Sequence, residues 1–415
     1  MSNPAIQRRA RMPLPRLVAA AAIGVCAHAG RAHATAQQVD APTAARTPTA
    51  ARTATASPAA PQAASPEKDQ AVPRLAPSIA AARTYIAPGA PLETVIDAPP
   101  GASTSVLMLD PAGEVLAAAR NLQPGRVDLR RQMESVDSLK RAAWLQLAVD
   151  GTPVGAPLVI VPLHSTPPAR TRLAQRPDGS PYTRVIGWGD ALQDPSDPED
   201  VKAKESGQWI AGDAPVLSGF RIYRDVDALL ETDQGPIRIA MSPDEAPATA
   251  WNFITLVRDG FYDGTTFHRV VPLDRQGRPF VIQGGDPTGT GDGGPGYALA
   301  LEPSALPHDY GIVSMARADD PHSAGSQFFV ALGRDACARL DGQYCAFGYV
   351  VDGARAVDAI AASPIGNPAT GRPARPPAIR RATLVDAPAR VPGADRRASR
   401  IAASANPAQP PAQVR

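Results

Sequence analysis

The sequence predicts a mainly β protein, mixed α+β in its C-terminal half and flanked by segments too polar and proline-rich to fold. Three observations carry this reading: short β-type runs punctuated by turn residues between positions 83 and 162, a hairpin-then-helix pattern from position 220, and low-complexity stretches at both ends. The chain has 415 residues, enough for two or three domains. Its 46 prolines and 34 glycines place part of that length in linkers and tails. With 42 basic and 40 acidic side chains the net charge is +2, which leaves no electrostatic footprint for a nucleic-acid partner. Cys26, Cys337 and Cys345 are too few for a disulfide scaffold and lack the paired spacing of a structural zinc site. No two histidines have metal-ligand spacing either, so neither a metal nor a cofactor is expected.

At the N-terminus, Arg8, Arg9, Arg11 and Arg16 precede an apolar run over 17–25, followed by small residues ending in Ala32-His33-Ala34-Thr35-Ala36. This is the order of a secretory signal over 1–36. The run falls well short of the roughly 20 residues that span a bilayer. An exported, periplasmic protein is therefore expected, with no stable membrane insertion after cleavage. Arg8-Arg9 also allows a twin-arginine reading. Ile23-Gly24-Val25-Cys26 is a poor lipobox, because the residue before the cysteine should be smaller than valine, and a lipid anchor through Cys26 is the lesser alternative.

Residues 37–82 read as a disordered linker of Ala, Pro, Thr, Ser and Arg, with no aromatic, leucine or isoleucine between positions 37 and 73. The arginine-rich stretch 387–415 reads as a disordered tail. Between them, residues 83–165 carry β-type runs at 92–96, 105–109, 115–119, 144–149 and 158–161. Pro99-Pro100-Gly101, Asp110-Pro111-Ala112-Gly113, Pro124-Gly125 and Asp150-Gly151 separate them, as in a small antiparallel sandwich. Lacking a cluster of His, Cys or carboxylates, this region reads as a spacer or binding module. Residues 166–219, rich in Pro, Asp and Gly with scattered Trp188 and Trp209, read as an irregular connection.

From residue 220 to 386 the pattern sharpens. Runs at 226–231 and 237–241 alternate around Asp233-Gln234-Gly235, a hairpin signature. A helix follows with Ala250, Phe253, Ile254 and Val257 on one face, Pro247 at its start and Gly260 as its stop. A second helix is expected from 354 to 362, turning Val357, Ile360 and Ala361 inward.

The chemistry sits in three segments. Phe267-His268-Arg269-Val270-Val271-Pro272 is followed by Phe280-Val281-Ile282-Gln283-Gly284-Gly285-Asp286. Then come Gly311-Ile312-Val313-Ser314-Met315-Ala316-Arg317-Ala318 with Gly325-Ser326-Gln327-Phe328-Phe329, and last Leu340-Asp341-Gly342-Gln343-Tyr344-Cys345-Ala346-Phe347-Gly348. In this order they closely resemble the cyclophilin family of peptidyl-prolyl cis-trans isomerases, over residues 221–385. The resemblance implies an eight-stranded antiparallel β-barrel closed by two helices, preceded here by the sandwich-like domain, with the active site on the barrel's outer face.

Rotation about an Xaa-Pro bond must overcome a barrier of about 18–20 kcal/mol, because amide resonance is lost. It needs no nucleophile, metal or acid-base pair. It is helped by an apolar grip on the proline ring and by a fixed donor or cation that stabilises the twisted amide. In the light of the resemblance, Arg269 is the catalytic cation and Gln283 orients it or holds the substrate carbonyl. Phe280, Val281, Phe329 and Leu340 line the proline pocket, Ala316, Arg317 and Ala318 offer main-chain groups, and Gln327 and Tyr344 complete the groove. Phe267, Phe328 and Phe347 belong to the core, His268 points to the opposite face from Arg269, and His308 and His322 read as loop residues. Gly289-Thr290-Gly291-Asp292-Gly293-Gly294 matches G-x-G-x-x-G but has no helix after it, so it reads as a flexible border of the groove and not as a phosphate cradle.

Five features depart from the family pattern. About six extra residues, from Leu273 to Pro279, lie beside the catalytic strand and predict a surface bulge that narrows or extends the groove. Arg339 stands where eukaryotic members often have Trp, which argues against tight cyclosporin-type binding. Tyr344 replaces a frequent His. Arg317 and Val281 replace a common Asn and Met. Cys337 and Cys345 either form a small-loop disulfide in an oxidising compartment or remain separate buried thiols. Proline-containing polypeptides are the expected partners of a monomeric isomerase acting on exported proteins. A catalytically weak peptide-binding or chaperone module of the cell envelope is the alternative reading.

Overall fold

The computed structural model describes residues 76–165, 167–176, 179–206, 216–398 and 400. The expected leader, nearly all of the linker, Trp209 and the end of the tail lie outside them.

The C-terminal part is a single antiparallel sheet of eight strands: β1 (Val226–Thr232), β2 (Gly235–Met241), β3 (Arg269–Leu273), β4 (Pro279–Gly284), β5 (Ile312–Met315), β6 (Phe328–Ala331), β7 (Ala346–Asp352) and β8 (Ile379–Asp386). Their spatial order is β3-β4-β6-β5-β7-β2-β1-β8. The sheet curls until the chain entering β3 meets the start of β8. There the Phe267 N–H donates to the Pro377 carbonyl and the Ile379 N–H to the Thr265 carbonyl, each at 2.8 Å. Joining the two edges removes an open ladder that would otherwise invite pairing with another chain.

Two helices, α1 (Pro247–Arg258) and α2 (Ala354–Ala361), complete the fold where the apolar spacing placed them. Pro247 opens α1, and the N–H groups of Ala248 and Thr249 are taken by the Glu302 carboxylate at 2.9 and 2.7 Å. A distant loop thus supplies the cap that no local side chain provides. Burial raises the pKa of Glu302. Phe253 of α1 reaches the barrel core, with ring centroids 5.4 Å from Phe328 and 5.0 Å from Phe347. Phe267, Val357 and Ile360 are fully buried in the same core, while Ala361 is only partly covered.

The N-terminal part is two sheets face to face. One pairs Ser78–Ala81, Glu93–Asp97 and Gly125–Asp128; the other runs, in order, through Tyr85–Ile86, Leu217–Arg224, Leu158–His164, Ala143–Val149, Thr104–Leu109 and Val115–Ala119. Ile79 and Ile96 from the first sheet share a core with Val106, Leu145, Ile160 and Phe220 from the second. The strand Ser78–Ala81 lies inside the stretch whose composition reads as linker, and the buried Ile79 is its apolar anchor.

Residues 166–219 are not the irregular connection their composition suggests. They form a small sheet of Ala169–Gln175, Pro181–Trp188 and Ala191–Leu192, followed by a helix, Pro198–Glu205, capped by Asp197. Ion pairs rather than apolar alternation hold it together. Arg172 reaches Asp200 at 2.6 Å and Glu199 at 2.8 Å, and Arg184 reaches Asp200 at 3.3 Å.

The strand Leu217–Arg224 runs into β1 with only Asp225 between them, so one extended stretch of chain belongs to both sheets. Asp225 is buried at this joint and accepts from Trp144 Nε1 at 2.9 Å and from Arg396 Nη2 at 3.0 Å. Arg396 also donates to the Met241 carbonyl at 2.6 Å. Two guanidiniums lie over the Trp144 ring, Arg390 at 4.5 Å and Arg396 at 4.9 Å from its centroid, and Arg400 pairs with the buried Asp227. The described part of the tail is therefore docked, contrary to the expectation of disorder. Its arginines look solvated only because their carboxylates lie some 170 positions upstream. Removing one partner of a buried charge pair costs about 3–5 kcal/mol. Arg396→Ala should lower the unfolding free energy by that order in a urea titration, whereas truncating the exposed Arg375 should leave the midpoint nearly unchanged.

Candidate active site

Strand register assembles the site. Arg269 of β3 pairs with Gln283 of β4, Gln283 with Phe329 of β6, and Phe329 with Ser314 of β5. Directly paired residues share a face of the sheet, so these four side chains form one row. The next row, Val270, Ile282, Val330 and Val313, lies in the barrel interior, which leaves the first row on the outer face.

Along that row runs a chain of polar contacts. Arg269 Nη1 donates to Gln283 Oε1 at 3.2 Å, and Gln283 Nε2 donates to Gln327 Oε1 at 3.0 Å. Gln327 Nε2 donates to the carbonyls of Gly291 and Gly293, both at 2.8 Å. The glycine-rich loop is held from beneath by Asp286, whose carboxylate accepts the N–H groups of Thr288, Gly291 and Gly293 at 2.7, 2.5 and 3.1 Å. A Cβ at Gly293 would stand 2.1 Å from Asp286 Oδ1. Gly293 thus serves close approach to a carboxylate, and the loop is a ring of amides held by Asp286 rather than a flexible border. Burial alone would raise the pKa of Asp286, but these hydrogen bonds outweigh it and hold the carboxyl below its usual range.

Arg269 is half-buried, and burial lowers its pKa. Among the described residues no carboxylate pairs with it. Its stem is shouldered by Gly371, at φ +73°, where a Cβ would lie 3.0 Å from the Val270 carbonyl oxygen and 3.4 Å from Arg269 Cγ. The Val270 N–H donates to the Gly371 carbonyl at 2.8 Å, so the segment before β8 seals the edge of β3 beside the arginine.

Next to this row is an apolar cluster of Phe280, Val281, Phe329 and Leu340 with Ala331, Ala336 and Cys337, edged by Val271, Ala316 and Tyr344. Tyr344 stands edge-on to Phe329 at 5.7 Å. His308, read from sequence as a loop residue, is fully buried and stacks on Phe329 at 5.8 Å. Its ring nitrogens lie 3.0 Å from Ser314 Oγ and 3.0 Å from Asp341 Oδ1. Nothing local marks it, since both partners come from other segments. His268 is also buried.

The segment 316–318 is partly engaged within the protein. The Ala316 N–H donates to the Gln327 carbonyl at 2.8 Å. The Ala318 N–H donates to Ser323 Oγ, and the Ala318 carbonyl accepts from Arg317 Nη1, both at 2.8 Å. Ala318 is thus turned onto its own loop, and the carbonyl of Ala316 and the N–H of Arg317 are the groups of this stretch left to meet a bound peptide. Cys337 and Cys345 are separate buried thiols. Burial pushes them up to about 11 and about 12 respectively, and Cys337 Sγ donates to the Phe280 carbonyl at 3.2 Å.

A family model described as Cyclophilin type peptidyl-prolyl cis-trans isomerase/CLD matches residues 228–384. A peptidyl-prolyl cis-trans isomerase of Synechococcus elongatus is 46% identical over 125 residues, covering 30% of this chain and 80% of the relative. The chain belongs to the cyclophilin family of peptidyl-prolyl cis-trans isomerases. Two further cyclophilins bracket the likeness across kingdoms. Peptidyl-prolyl cis-trans isomerase B of Bacillus subtilis is 44% identical over 127 residues, covering 30% of this chain and 82% of the relative. Peptidyl-prolyl cis-trans isomerase ppi1 of Schizosaccharomyces pombe is 46% identical over 129 residues, covering 30% of this chain and 77% of the relative.

The extra residues of this cyclophilin form a tight turn between β3 and β4. The Asp274 N–H donates to the Arg278 carbonyl at 2.8 Å, and Asp274 Oδ1 accepts from the N–H groups of Gln276 and Arg278 at 2.9 and 3.0 Å. The hydrogen bond from Arg278 holds the Asp274 carboxyl down to about 2.

Burial lowers the pKa of His308 and of His268. The folded protein therefore binds these protons less readily than the unfolded chain, whose histidines titrate near about 6.5. Their contribution to stability is complete above that value and is lost as pH falls through it. The urea midpoint should drop between pH 7 and pH 5, before the carboxylates titrate, and His308→Gln should make that drop shallower.

Proposed function

We propose that this cyclophilin accelerates rotation about Xaa-Pro bonds in exported polypeptides as they fold, with Arg269 as the group that stabilises the twisted amide. The observation carrying this reading is a half-buried guanidinium, without a counter-ion among the described residues, held beside an apolar cluster of Phe280, Val281, Phe329 and Leu340. Phe280, Val281, Phe329 and Leu340 grip the ring. As the C–N bond rotates, resonance is lost and the nitrogen lone pair becomes an acceptor; an Arg269 N–H then donates to it. A ground-state planar amide offers no such acceptor, so the interaction favours the transition state over either isomer. Gln283, fixed by Gln327, holds Arg269 at its Nη1 and leaves the remaining donors to the substrate. No bond to the protein forms or breaks.

Fixed donors of this type are worth about 10²–10³ in rate when removed, a few kcal/mol out of the amide barrier. With purified mature protein and a short Ala-Ala-Pro peptide, Arg269→Ala should lower kcat/KM by that factor without moving the urea midpoint. Gln283→Ala should lower it by about tenfold, since it acts through the arginine. Equal rates for wild type and Arg269→Ala would refute the assignment.

Export rests on the order of charges, apolar run and small residues over 1–36. A monomer free of the membrane after cleavage, meeting unfolded chains in the periplasm, fits that leader. Fractionation should recover the full-length protein outside the cytoplasm, shortened by about the length of the leader, and a chain starting after residue 36 should stay inside.

A further inference from the structure

Two cations, the exposed Arg339 and the half-buried Arg317, flank the proline pocket, and the departures from the family pattern are what put them there. On one side, the Arg339 guanidinium lies over the Phe280 ring, 4.5 Å from its centroid, pinned by a hydrogen bond from Nη1 to the Ala336 carbonyl at 2.7 Å. On the other, the Arg317 guanidinium lies over Tyr344 at 4.8 Å, and Tyr344 in turn stands against Phe329. Arg317 donates to the carbonyls of Gln343, Ala318 and Asp319 at 3.0, 2.8 and 3.1 Å. Among the described residues Arg317 meets no carboxylate, and Arg339 only shares Asp274 with Arg278. The nearest acids are committed elsewhere. Asp274 is held by Arg278 through Nε at 3.0 Å and Nη2 at 2.6 Å and comes only within 3.7 Å of Arg339. Asp319 pairs with Arg176 at 3.2 Å, and Asp341 with Arg334 at 2.6 Å. Asp335, exposed on the same rim, acts on Arg278. Arg269 likewise meets no carboxylate among the described residues, so the three arginines bring more positive charge to this site than its acids offset.

Stacking against aromatic rings and hydrogen bonds to carbonyls fix both side chains before a ligand arrives. That reduces the rotamer entropy a long cation would lose on pairing. The insertion contributes directly, because the turn at 274–278 places Arg278 and its carboxylate against Arg339 and confines it over Phe280.

The geometry points to substrate selection by charge: this groove prefers prolyl bonds that carry an acidic side chain next to the proline, with Arg339 and Arg317 as the residues that read it. The inference rests on the isomerase reading above and adds the class of substrate. Its test is a set of short peptides differing only in Glu, Gln or Lys immediately before or immediately after one proline, with exchange rates measured by magnetisation-transfer NMR on the full mature protein. At low salt the glutamate peptide should be turned over with kcat/KM about 3- to 5-fold above its glutamine counterpart at one or both positions, the size of an exposed ion pair. The lysine peptide should fall below it by a similar factor. The glutamate preference should shrink toward unity at about 0.5 M salt, where charges are screened within a few ångströms. Within Arg339→Gln or Arg317→Gln the glutamate-to-glutamine ratio should fall, and Arg339→Lys should keep it. The ratio is internal to each variant, so a general loss of activity does not mimic the effect. Turnover of the neutral peptide with a glutamate-to-glutamine ratio near 1 at both positions overturns the charge proposal and leaves the isomerase standing. Absence of turnover of every peptide overturns both.

Discussion

The site depends on the antiparallel register of three strands. Because Arg269, Gln283 and Phe329 occupy one transverse row of the sheet, a guanidinium, an amide and an aromatic ring are presented side by side with no loop needed to aim them. Side-chain direction alternates along a strand, so a slip of one residue between β3 and β4 would send Gln283 inward and bring Ile282 opposite Arg269. The interior row of Val270, Ile282, Val330 and Val313 makes such a slip expensive, since it would expose four aliphatic side chains at once. The barrel core thus fixes the active face from behind.

A second pattern recurs at four places where backbone or charge would otherwise be left bare. Glu302 at the start of α1, Asp341 beside His308 and Asp225 at the joint between the two sheets meet groups far away in the chain, and Asp286 beneath the glycine-rich loop meets amides two to seven residues further on. In a low-dielectric setting a fully satisfied carboxylate ties segments together more firmly than an apolar contact and tolerates no substitute of another shape. These four acids account for the ordered state of loops that a reading by composition would leave mobile.

How much of this was legible in the sequence follows from the range of each signal. The hairpin of β1 and β2, both helices and the fully buried Phe267, Phe328 and Phe347 declare themselves through spacing over a few residues. The family motifs pointed to Arg269, Gln283, Gln327 and the apolar cluster, and the structure brings these together. What escaped was long-range. The arginines at 390, 396 and 400 resemble a solvated tail until Asp225 and Asp227 are placed beside them. His308 resembles a loop residue until Ser314 and Asp341 close around it. The sheet at 169–192 lacks apolar alternation because Arg172 and Arg184 bind it to a helix instead. Ala318 shows the reverse case, where a residue marked by its motif keeps its backbone groups for its own loop.

The shared strand at Asp225 bears on the order in which the molecule can be completed. Asp225 is made early, in the middle of the chain, whereas its guanidinium partner arrives 171 residues later with Arg396. Synthesis runs from the N-terminus, and domains fold as they emerge. Both sheets can therefore form while the carboxylate between them still faces water or an empty cleft. Only the segment carrying Arg390 and Arg396 neutralises it and brings both guanidiniums to the Trp144 ring. A chain interrupted between Asp386 and Arg396 would hold a complete groove on an unfinished joint, so this short segment is the clasp that closes after everything it holds is already in place.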